Sequence, residues 1–284
     1  MHFVKMQGTG NDFLLLRPQG EGQDWPALAR ALCDRHYGVG ADGIILVLPS
    51  QRADVGMRIF NPDGSEAEMC GNGIRCLVRY AVETGLARPR DGRLTVEALA
   101  GVLPAWVEME GDQVRRVRVG MGVPRLAPAE VPVAAEGPGP LLDLPLEVKG
   151  HRLSLTCLSL GNPHAVHFLD TPVEAFPLEE VGLAVEHHPL FPQRVNFGVA
   201  RVLDRGRLEL RVWERGAGPT LACGSGATAA VVAARLRGLV GDRVQVRLPG
   251  GWLSIEWDGR EEAYLSGPAE WVCQGQWLGG ARPT

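Results

Sequence analysis

Residues 69–80 read Met69-Cys70-Gly71-Asn72-Gly73-Ile74-Arg75-Cys76-Leu77-Val78-Arg79-Tyr80: a cysteine, two glycines spaced by one residue, and a run with helical periodicity. The glycines allow a sharp turn, so we expect a helix whose first N–H groups remain open. These groups and the positive end of the helix dipole form an anion site, and they would lower the pKa of a neighbouring thiol. The stretch therefore predicts a reactive cysteine at the start of a helix.

The same pattern returns 153 residues later (223 minus 70), at Ala222-Cys223-Gly224-Ser225-Gly226-Ala227-Thr228. Such a register without gaps is improbable by chance, so we interpret the chain as two copies of one unit. Other positions match at this offset: Arg58 with Arg211, Gly85 with Gly238, and far upstream Gly8 with Gly161 and Asn11 with His164.

Length and composition are those of an ordinary globular protein. The 284 residues are 45% hydrophobic and 22% charged, which suits two domains with separate cores. The net charge is −4 without long runs of like charge, so nucleic acid and membrane surfaces are poor partner candidates. The N-terminus lacks the apolar core of a signal peptide, and apolar segments stop short of membrane-spanning length. We therefore expect a cytoplasmic protein with a small-molecule ligand.

Strand patterns dominate both copies, and the run 227–234 after the second cysteine is apolar on nearly every face. Such a helix should be buried and enclosed by the strands of its own domain. The expected fold is α+β: two pseudo-symmetric homologous domains, each a strand-rich sheet or barrel wrapped around a central buried helix, with the active site in the cleft between them. We place the first domain at 1–120, joined by the tail 266–284, and the second at 121–265.

Several local elements can be predicted. Asp24 as N-cap and Pro26 close behind it predict a helix over Trp25–Cys33, and alternation predicts a strand over Val55–Phe60. Residues 161–164 read as a loop, and residues 121–145, rich in proline, as an inter-domain linker with edge structure. The glycine-rich segment 38–43 fits a plain turn, or more weakly a nucleotide loop, because a strand and not a helix follows it.

The six cysteines should be reduced in a cytosolic protein, and none has the spacing of a metal site, so no metal is expected. We interpret Cys33, Cys76, Cys157 and Cys273 as small buried hydrophobic residues. Cys70 and Cys223 differ because both stand in the repeated glycine context.

Two such cysteines facing each other suit a reaction with two opposite faces. A thiolate would take a proton from a stereogenic carbon, and a thiol would return one from behind. The helix N–H groups would hold the substrate carboxylate and stabilise the charge that develops, so no cofactor is required. Cys70 and Cys223 are therefore the candidate catalytic residues.

Polar residues in turns could bind the two ends of a doubly zwitterionic ligand, although an asparagine in a turn often serves only as a structural cap. Arg215 suits a distal carboxylate and Glu214 an ammonium group. His164 and Glu214 could also adjust thiol pKa values. The set is Asn11, Asn61, Asn162, His164, Asn196, Glu214 and Arg215.

Five segments together resemble the diaminopimelate epimerase family over nearly the whole chain. They are Gly8-Thr9-Gly10-Asn11-Asp12-Phe13, Asn61 to Cys76, Gly161-Asn162-Pro163-His164, Arg194-Val195-Asn196, and Glu214 to Gly226. The resemblance implies cofactor-independent interconversion of LL- and meso-2,6-diaminopimelate, on the route to lysine and cell-wall precursor. It also implies a pseudo-symmetric α+β fold that often forms homodimers.

The resemblance implies residue roles as well. Cys70 would donate the proton and Cys223 accept it in the LL-to-meso direction, and His164 and Glu214 would adjust thiol acidity. One departure is Gly43, where some relatives have a substrate-binding Gln. Substrate would be bound by the side chains of Asn11, Asn61, Asn162, Asn196, Glu214 and Arg215, and by main-chain N–H groups of Gly71, Asn72, Gly224 and Ser225.

Three alternatives remain open at this point. A proline racemase-type enzyme shares the two-thiol logic, but such relatives usually carry His where this chain has Asn72. A non-catalytic protein with two anion-binding helix ends would not need both Cys70 and Cys223. A thiol-disulfide switch would need the two cysteines to approach each other, and we expect oxidation to inactivate rather than regulate.

Overall fold

The computed structural model describes residues 1–279 except 19, 21, 136 and 138. The chain divides into two compact units, Met1–Val119 with the segment from Ser266, and Gly120–Leu265. Within the described residues, none of the helices has the length and apolar character needed to cross a bilayer.

Strands make up most of both units. In chain order the first elements are β1 (His2–Gly8), β2 (Asn11–Leu16), α1 (Trp25–Cys33), β3 (Gly43–Leu48), β4 (Val55–Phe60), β5 (Glu66–Ala67), α2 (Gly71–Glu83), β6 (Arg93–Ala98), β7 (Gly101–Glu110) and β8 (Gln113–Gly120). They are followed by β9 (Leu141–Val148), β10 (His151–Ser159), β11 (Pro163–Phe168), α3 (Leu178–Glu186), β12 (Asn196–Asp204), β13 (Arg207–Glu214), β14 (Gly218–Thr220), α4 (Gly224–Leu236), β15 (Arg243–Leu248), β16 (Gly251–Glu256), β17 (Tyr264–Gly267) and β18 (Glu270–Gln276). Short 3-10 turns lie at Pro128–Glu130 and Val173–Ala175.

The first unit is a mixed sheet around α2. Strand β1 pairs antiparallel with β2 and with β18, and β2 pairs parallel with β3. Strand β4 pairs antiparallel with β3 and parallel with β6. Strand β7 then pairs antiparallel with both β6 and β8. Apolar side chains of α2, among them Ile74, Leu77 and Val78, are fully buried in the core formed with these strands. The helix is thus the centre of the unit.

The second unit repeats this arrangement around α4. Strand β10 pairs antiparallel with β11, β11 parallel with β12, β12 antiparallel with β13, and β13 parallel with β15. Strand β9 adds to β10, β14 to β13, and β16 to β15. All residues of α4 from Gly226 to Ala234 are buried. Small side chains let the surrounding strands approach this helix closely.

The predicted α+β class is confirmed: each unit is strand-rich and has one buried helix at its core. The helix Trp25–Cys33 is confirmed as well, with Asp24 Oδ1 accepting from Ala27 N at 3.0 Å as its N-cap. Strand Val55–Phe60 also has the predicted bounds.

Three local predictions were wrong. Cys273 is not buried but exposed, on strand β18. His164 lies inside β11 and not in a loop, because Pro163 begins the strand. The predicted linker 121–145 instead packs on the second unit, since Val131 and Val133 are buried in its core and residues from Leu141 onward form β9. Pro145 lies opposite Ser154 in the pairing of β9 with β10, and a proline is tolerated in a strand where the ladder does not need its N–H.

The ladder register corrects part of the repeat alignment. Phe13 pairs with Gly43 in the first unit, 30 residues on, whereas His164 pairs with Asn196 in the second, 32 residues on. The connection between the parallel strands is therefore two residues longer in the second unit. Asn11 consequently corresponds to Asn162, and the predicted match of Asn11 with His164 was wrong.

Candidate active site

Cys70 is the N-cap residue of α2, with extended backbone angles of φ −143° and ψ 116°. The first helical turn closes through Ile74 N, which donates to Cys70 O at 2.8 Å. The Cys70 sulfur lies 3.8 Å from Asn11 Oδ1 and is partly exposed. This thiol therefore stands at the positive end of a buried helix and next to an amide oxygen.

Cys223 holds the equivalent place on α4, with φ −114° and ψ 110°. Its sulfur accepts a hydrogen bond from Gly226 N at 3.3 Å and lies 3.5 Å from Ser225 Oγ. The thiol is buried, with 5% of the residue exposed. Both contacts can stabilise a negative sulfur.

The prediction of a lowered thiol pKa was wrong for Cys223. Burial raises its pKa well above the usual 9.0, and the negative charge of Glu214 raises it further. The hydrogen bonds from Ser225 and from Gly226 N act in the opposite direction without outweighing burial. Desolvation of a thiolate costs more than the first turn of a helix returns. Glu214 thus lies close enough to Cys223 for its charge to act on the thiol.

The second glycine of each Cys-Gly-x-Gly motif is explained by space. A Cβ at Gly226 would lie 2.9 Å from Val212 Cγ2 and 3.2 Å from the Cys223 sulfur. At Gly73 it would lie 3.1 Å from Ile45 Cδ1. The motif therefore keeps the helix start close to the neighbouring strand.

Polar residues predicted for the first unit form two groups. Asn11 and Asn72 meet, since Asn72 Nδ2 donates to Asn11 Oδ1 at 3.2 Å. Asn61 instead serves its own turn, because its Nδ2 donates to Ser65 Oγ at 3.0 Å and its backbone N to Ser65 O at 2.8 Å. The structural-cap interpretation thus applies to Asn61, which is partly exposed.

His164 and Asn162 connect to the second thiol. His164 Nε2 lies 3.0 Å from Asn162 Oδ1, and Asn162 Nδ2 donates to Ser225 Oγ at 3.3 Å. Burial, and then the positive charge of Arg215, lower the pKa of His164 to about 3. His164 is therefore neutral at physiological pH and acts on its surroundings by hydrogen bonding.

Asn196 contacts the backbone of Arg215 in the second unit. Asn196 is buried, and its Nδ2 donates to Pro163 O at 3.0 Å while its Oδ1 accepts from Arg215 N at 3.0 Å. The Arg215 guanidinium donates to Gln193 O at 3.0 Å. Glu214, the last residue of β13, accepts from Thr220 Oγ1. Asn196 therefore fixes the backbone that carries the neighbouring charges.

The glycine at position 43, where some relatives have Gln, is explained by the space around it. A Cβ at this position would lie 2.9 Å from Phe60 O, a backbone atom of the adjacent strand. A longer side chain would not fit there without a backbone shift. The close packing of β3 against β4 therefore explains why this chain has glycine at position 43.

Sequence reasoning missed the charged residues that support this site, above all Asp42, Arg75 and Glu186. Asp42 was hidden in a glycine-rich turn and Glu186 near the end of an amphipathic helix. Arg75 carried a usable signal, because it is a charged residue among the apolar positions of a helix.

Within the described residues, no cluster of three or more His, Cys, Asp or Glu could hold a metal ion.

The sequence profile of the diaminopimelate epimerase family matches residues 3–127 and 156–272. The chain belongs to the diaminopimelate epimerase family. Its relatives include the diaminopimelate epimerase of Moorella thermoacetica, 52% identical over 278 residues that cover 97% of this chain and 98% of that protein. That of Pelotomaculum thermopropionicum is 50% identical over 281 residues, covering 98% and 99%. As a member of this family the chain is an enzyme of the isomerase class.

Solved structures agree on the fold of this family member. A probable proline racemase from Agrobacterium radiobacter, with bound carbonate, has a TM-score of 0.71 at 17% identity and covers 98% of this chain and 92% of its own. A hydroxyproline epimerase from Agrobacterium vitis, with bound trans-4-hydroxy-L-proline, has a TM-score of 0.70 at 17% identity, covering 97% and 91%. A PhzF-family protein from Bacillus anthracis has a TM-score of 0.68 at 16% identity, covering 98% and 99%. At such identities the likeness concerns the fold alone.

Proposed function

We propose that this enzyme interconverts LL- and meso-2,6-diaminopimelate without a cofactor, using Cys70 and Cys223 as its two bases. The observation that carries the proposal is the equivalent placement of the two thiols. Each is the N-cap residue of a 13-residue helix that forms the core of its unit. The identity to named diaminopimelate epimerases supports the choice of substrate.

The proposed reaction transfers two protons and changes no oxidation state. In the LL-to-meso direction the Cys223 thiolate takes the α-proton, so that a C–H bond breaks and an S–H bond forms. The Cys70 thiol then delivers its proton to the opposite face of the carbanion and becomes a thiolate. The return reaction uses the two thiols in exchanged roles.

The helix starts would stabilise the charge that develops at the α-carboxylate. We assign this role to main-chain N–H groups of Gly71 and Asn72 on α2 and of Gly224 and Ser225 on α4. These groups are fixed by the helices before substrate arrives. They would therefore cost little reorganisation during the reaction.

Glu214 would couple substrate binding to the acidity of Cys223. Its negative charge raises the pKa of the Cys223 thiol in the free enzyme. A substrate ammonium group paired with Glu214 would neutralise that charge, so the thiol would ionise more easily once substrate is bound. The base would thus be generated where substrate is present, and His164 would assist as a neutral hydrogen-bonding group.

The other predicted residues would bind the far end of the substrate. Arg215 would pair with the distal carboxylate, and the amide side chains would bind the remaining polar groups. We assign the binding role to Asn11, Asn61, Asn162, Asn196, Glu214 and Arg215.

The cellular setting is part of the same proposal. An enzyme of this kind would act in the cytoplasm, in lysine and peptidoglycan-precursor biosynthesis, and we propose a homodimer. The two compact units would be its two homologous domains, each contributing one thiol.

Solvent deuterium incorporation tests the proposal. Purified enzyme given LL-diaminopimelate in deuterated water, after dialysis against a chelator and without added cofactor, should form meso product with deuterium at the inverted carbon. Proline serves as the competing substrate. Inversion of proline faster than diaminopimelate, or a requirement for added pyridoxal phosphate or metal, would refute the proposal.

A further inference from the structure

Two charged side chains lie at opposite ends of one hydrogen-bonded chain in the first unit. Arg75, on α2, is completely buried, and its Nη1 donates to Asn72 Oδ1 at 2.8 Å. Asn72 Nδ2 donates to Asn11 Oδ1 at 3.2 Å. Asn11 Nδ2 donates to Asp42 Oδ2 at 2.8 Å. The chain therefore runs from a cation to an anion through two amides.

The charges at the ends determine which way each amide faces. A guanidinium can only donate and an ionised carboxylate can only accept, so Asn72 must turn its oxygen to Arg75 and Asn11 its nitrogen to Asp42. The two inner atoms then match as donor and acceptor. A flip of either amide would place like atoms together at both of its contacts. As a result Asn11 Oδ1 faces the Cys70 sulfur, 3.8 Å away.

The guanidinium of Arg75 occupies a site built for it. Its Nε donates to Pro268 O at 3.0 Å, and its Nη2 to Thr9 Oγ1 at 3.0 Å. Its Nη1 also reaches Gly71 O at 3.3 Å. Among the described residues none of its hydrogen-bond acceptors is a carboxylate, although burying a charge without a counter-charge is costly. Such a cost points to a role beyond packing.

Gly8 leaves the space that the Arg75 guanidinium occupies. A Cβ at this position would lie 3.0 Å from Arg75 Nη2. Burial lowers the pKa of Arg75 to about 10, so the side chain still carries its charge at neutral pH. Thr228 holds the equivalent position on α4, and its hydroxyl donates to Gly224 O at 3.0 Å. The buried cation thus belongs to the Cys70 helix and not to the Cys223 helix.

The other end of the chain is anchored from the surface. Arg35 Nη2 donates to Asp42 Oδ1 at 2.7 Å, and Asp12 N donates to Asp42 Oδ2 at 3.2 Å. One oxygen of Asp42 therefore accepts from Arg35, and the other accepts from both Asn11 Nδ2 and Asp12 N. Arg35 is half exposed, which makes its ion pair with Asp42 a weak one.

We propose that Arg75 and Asp42 are positioning residues that lock the amides of Asn72 and Asn11 and so keep an acceptor oxygen against the Cys70 thiol. An acceptor at this place favours the protonated sulfur, which is the form that donates a proton. This inference rests on the proposed function only in giving Cys70 a part in proton transfer.

The variant Asp42→Asn tests the lock at its accessible end. An asparagine can either donate or accept, so a flip of Asn11 is then opposed only at its contact with Asn72, and its N–H turns toward the sulfur more easily than in the wild type. We expect kcat/KM for diaminopimelate to fall about tenfold, because a reacting group loses its fixed orientation. The control Arg35→Gln removes the ion pair with Asp42, and a second one with Asp12, but keeps the Asp42–Asn11 bond. It should stay within about twofold of the wild type, because both pairs involve a half-exposed arginine.

A readout without substrate separates this inference from the proposed function. Iodoacetamide labelling of Cys70 is measured peptide by peptide by mass spectrometry, with the exposed Cys273 as internal reference. In Asp42→Asn, Cys70 should label about threefold faster or more, because an N–H facing the sulfur favours the thiolate. If the labelling changes but diaminopimelate is not turned over, the proposed function fails and the positioning role stands.

The buried end is tested by a conservative pair. Arg75→Lys keeps a donating cation and should restore most of the activity that Arg75→Gln loses. Turnover and not labelling is compared in this pair, because the Arg75 charge interacts with Cys70 and its loss would by itself disfavour the thiolate. Should Arg75→Gln not fold, Asp42→Asn and its control still decide the matter. Equal labelling and equal turnover in Asp42→Asn and Arg35→Gln would overturn the inference.

Discussion

The carboxylate of Glu186, only 2% exposed, accepts a hydrogen bond from Trp213 Nε1 at 2.7 Å. Its other oxygen accepts from Gly216 N at 2.9 Å, and Arg194 lies 3.6 Å away. Glu186 thereby ties α3 to β13 and to the turn that follows it. That turn begins with the charged pair assigned to the substrate, so a residue outside the site holds part of the site in place.

Removal of this carboxylate should destabilise the protein. Glu186→Ala takes a buried acceptor away from Trp213 Nε1 and Gly216 N, two donors in partly buried contacts, and should lower the free energy of unfolding by about 1–2 kcal/mol, measured by urea denaturation. Trp213→Phe removes one donor and leaves the carboxylate satisfied by Gly216 N, so its effect should be smaller. A Glu186→Ala protein as stable as the wild type would contradict this account.

The buried His164 should make stability depend on pH. An unfolded histidine takes up a proton below its usual pKa of 6.5, whereas folded His164 does so only near its pKa of about 3. Its contribution is therefore full above pH 6.5 and falls as pH drops from there toward 3, by about 1.4 kcal/mol per unit. Between pH 6.5 and 5 the wild type should lose about 2 kcal/mol more stability than His164→Gln, by urea denaturation at each pH. Equal losses would exclude a buried neutral histidine.

Glu214 and Ser225 should shift the reactivity of Cys223 in opposite directions. Glu214→Gln removes a negative charge that raises the pKa of the Cys223 thiol, so alkylation should begin at lower pH. Ser225→Ala removes a hydrogen bond that lowers the same pKa, so alkylation should begin at higher pH. The rate of labelling of the Cys223 peptide against pH measures both. Shifts of the same sign in the two variants would show that other groups control this thiol.

The second glycine of α4, Gly226, should not tolerate a methyl group. Gly226→Ala would place a Cβ 2.9 Å from Val212 Cγ2 and 3.2 Å from the Cys223 sulfur. We expect a loss of about 1–3 kcal/mol in the free energy of unfolding, together with lower activity. Gly241→Ala is the control, because the nearest atom to its Cβ, Arg205 O, is 3.6 Å away. Normal stability in Gly226→Ala would mean that the helix start can move.

Much of the fold follows from local signals in the sequence. Helix α1 has the predicted bounds because Asp24 and Pro26 mark its start. Strand β4 also has the predicted bounds, although its burial does not alternate, since all of its residues except Arg58 are buried. Strand β9 was missed because its proline suggested a linker. Only the neighbouring strand β10, which pairs with β9 on one side, explains why a proline is tolerated there.

The site was predictable where motifs repeat and not where tertiary contacts decide. Both cysteines stand out through their glycine context, and the two helix starts follow from it. The orientation of Asn11 depends on Asp42, 31 residues away in sequence, and no local pattern joins the two. The raised pKa of Cys223 was also hidden, because burial is a property of the folded unit and opposes the effect of the helix.

The central claim is that both thiols are needed to invert one carbon, and inversion by the single variants Cys70→Ala and Cys223→Ala tests it most directly. Each variant is incubated with LL-diaminopimelate, and the formation of meso product is followed by chiral chromatography, with Cys76→Ala as the control for loss of a buried thiol in the same helix. We predict that either catalytic-site variant lowers inversion by at least about 10³-fold while Cys76→Ala remains active. Turnover near the wild-type rate in Cys70→Ala or in Cys223→Ala would contradict the two-thiol mechanism.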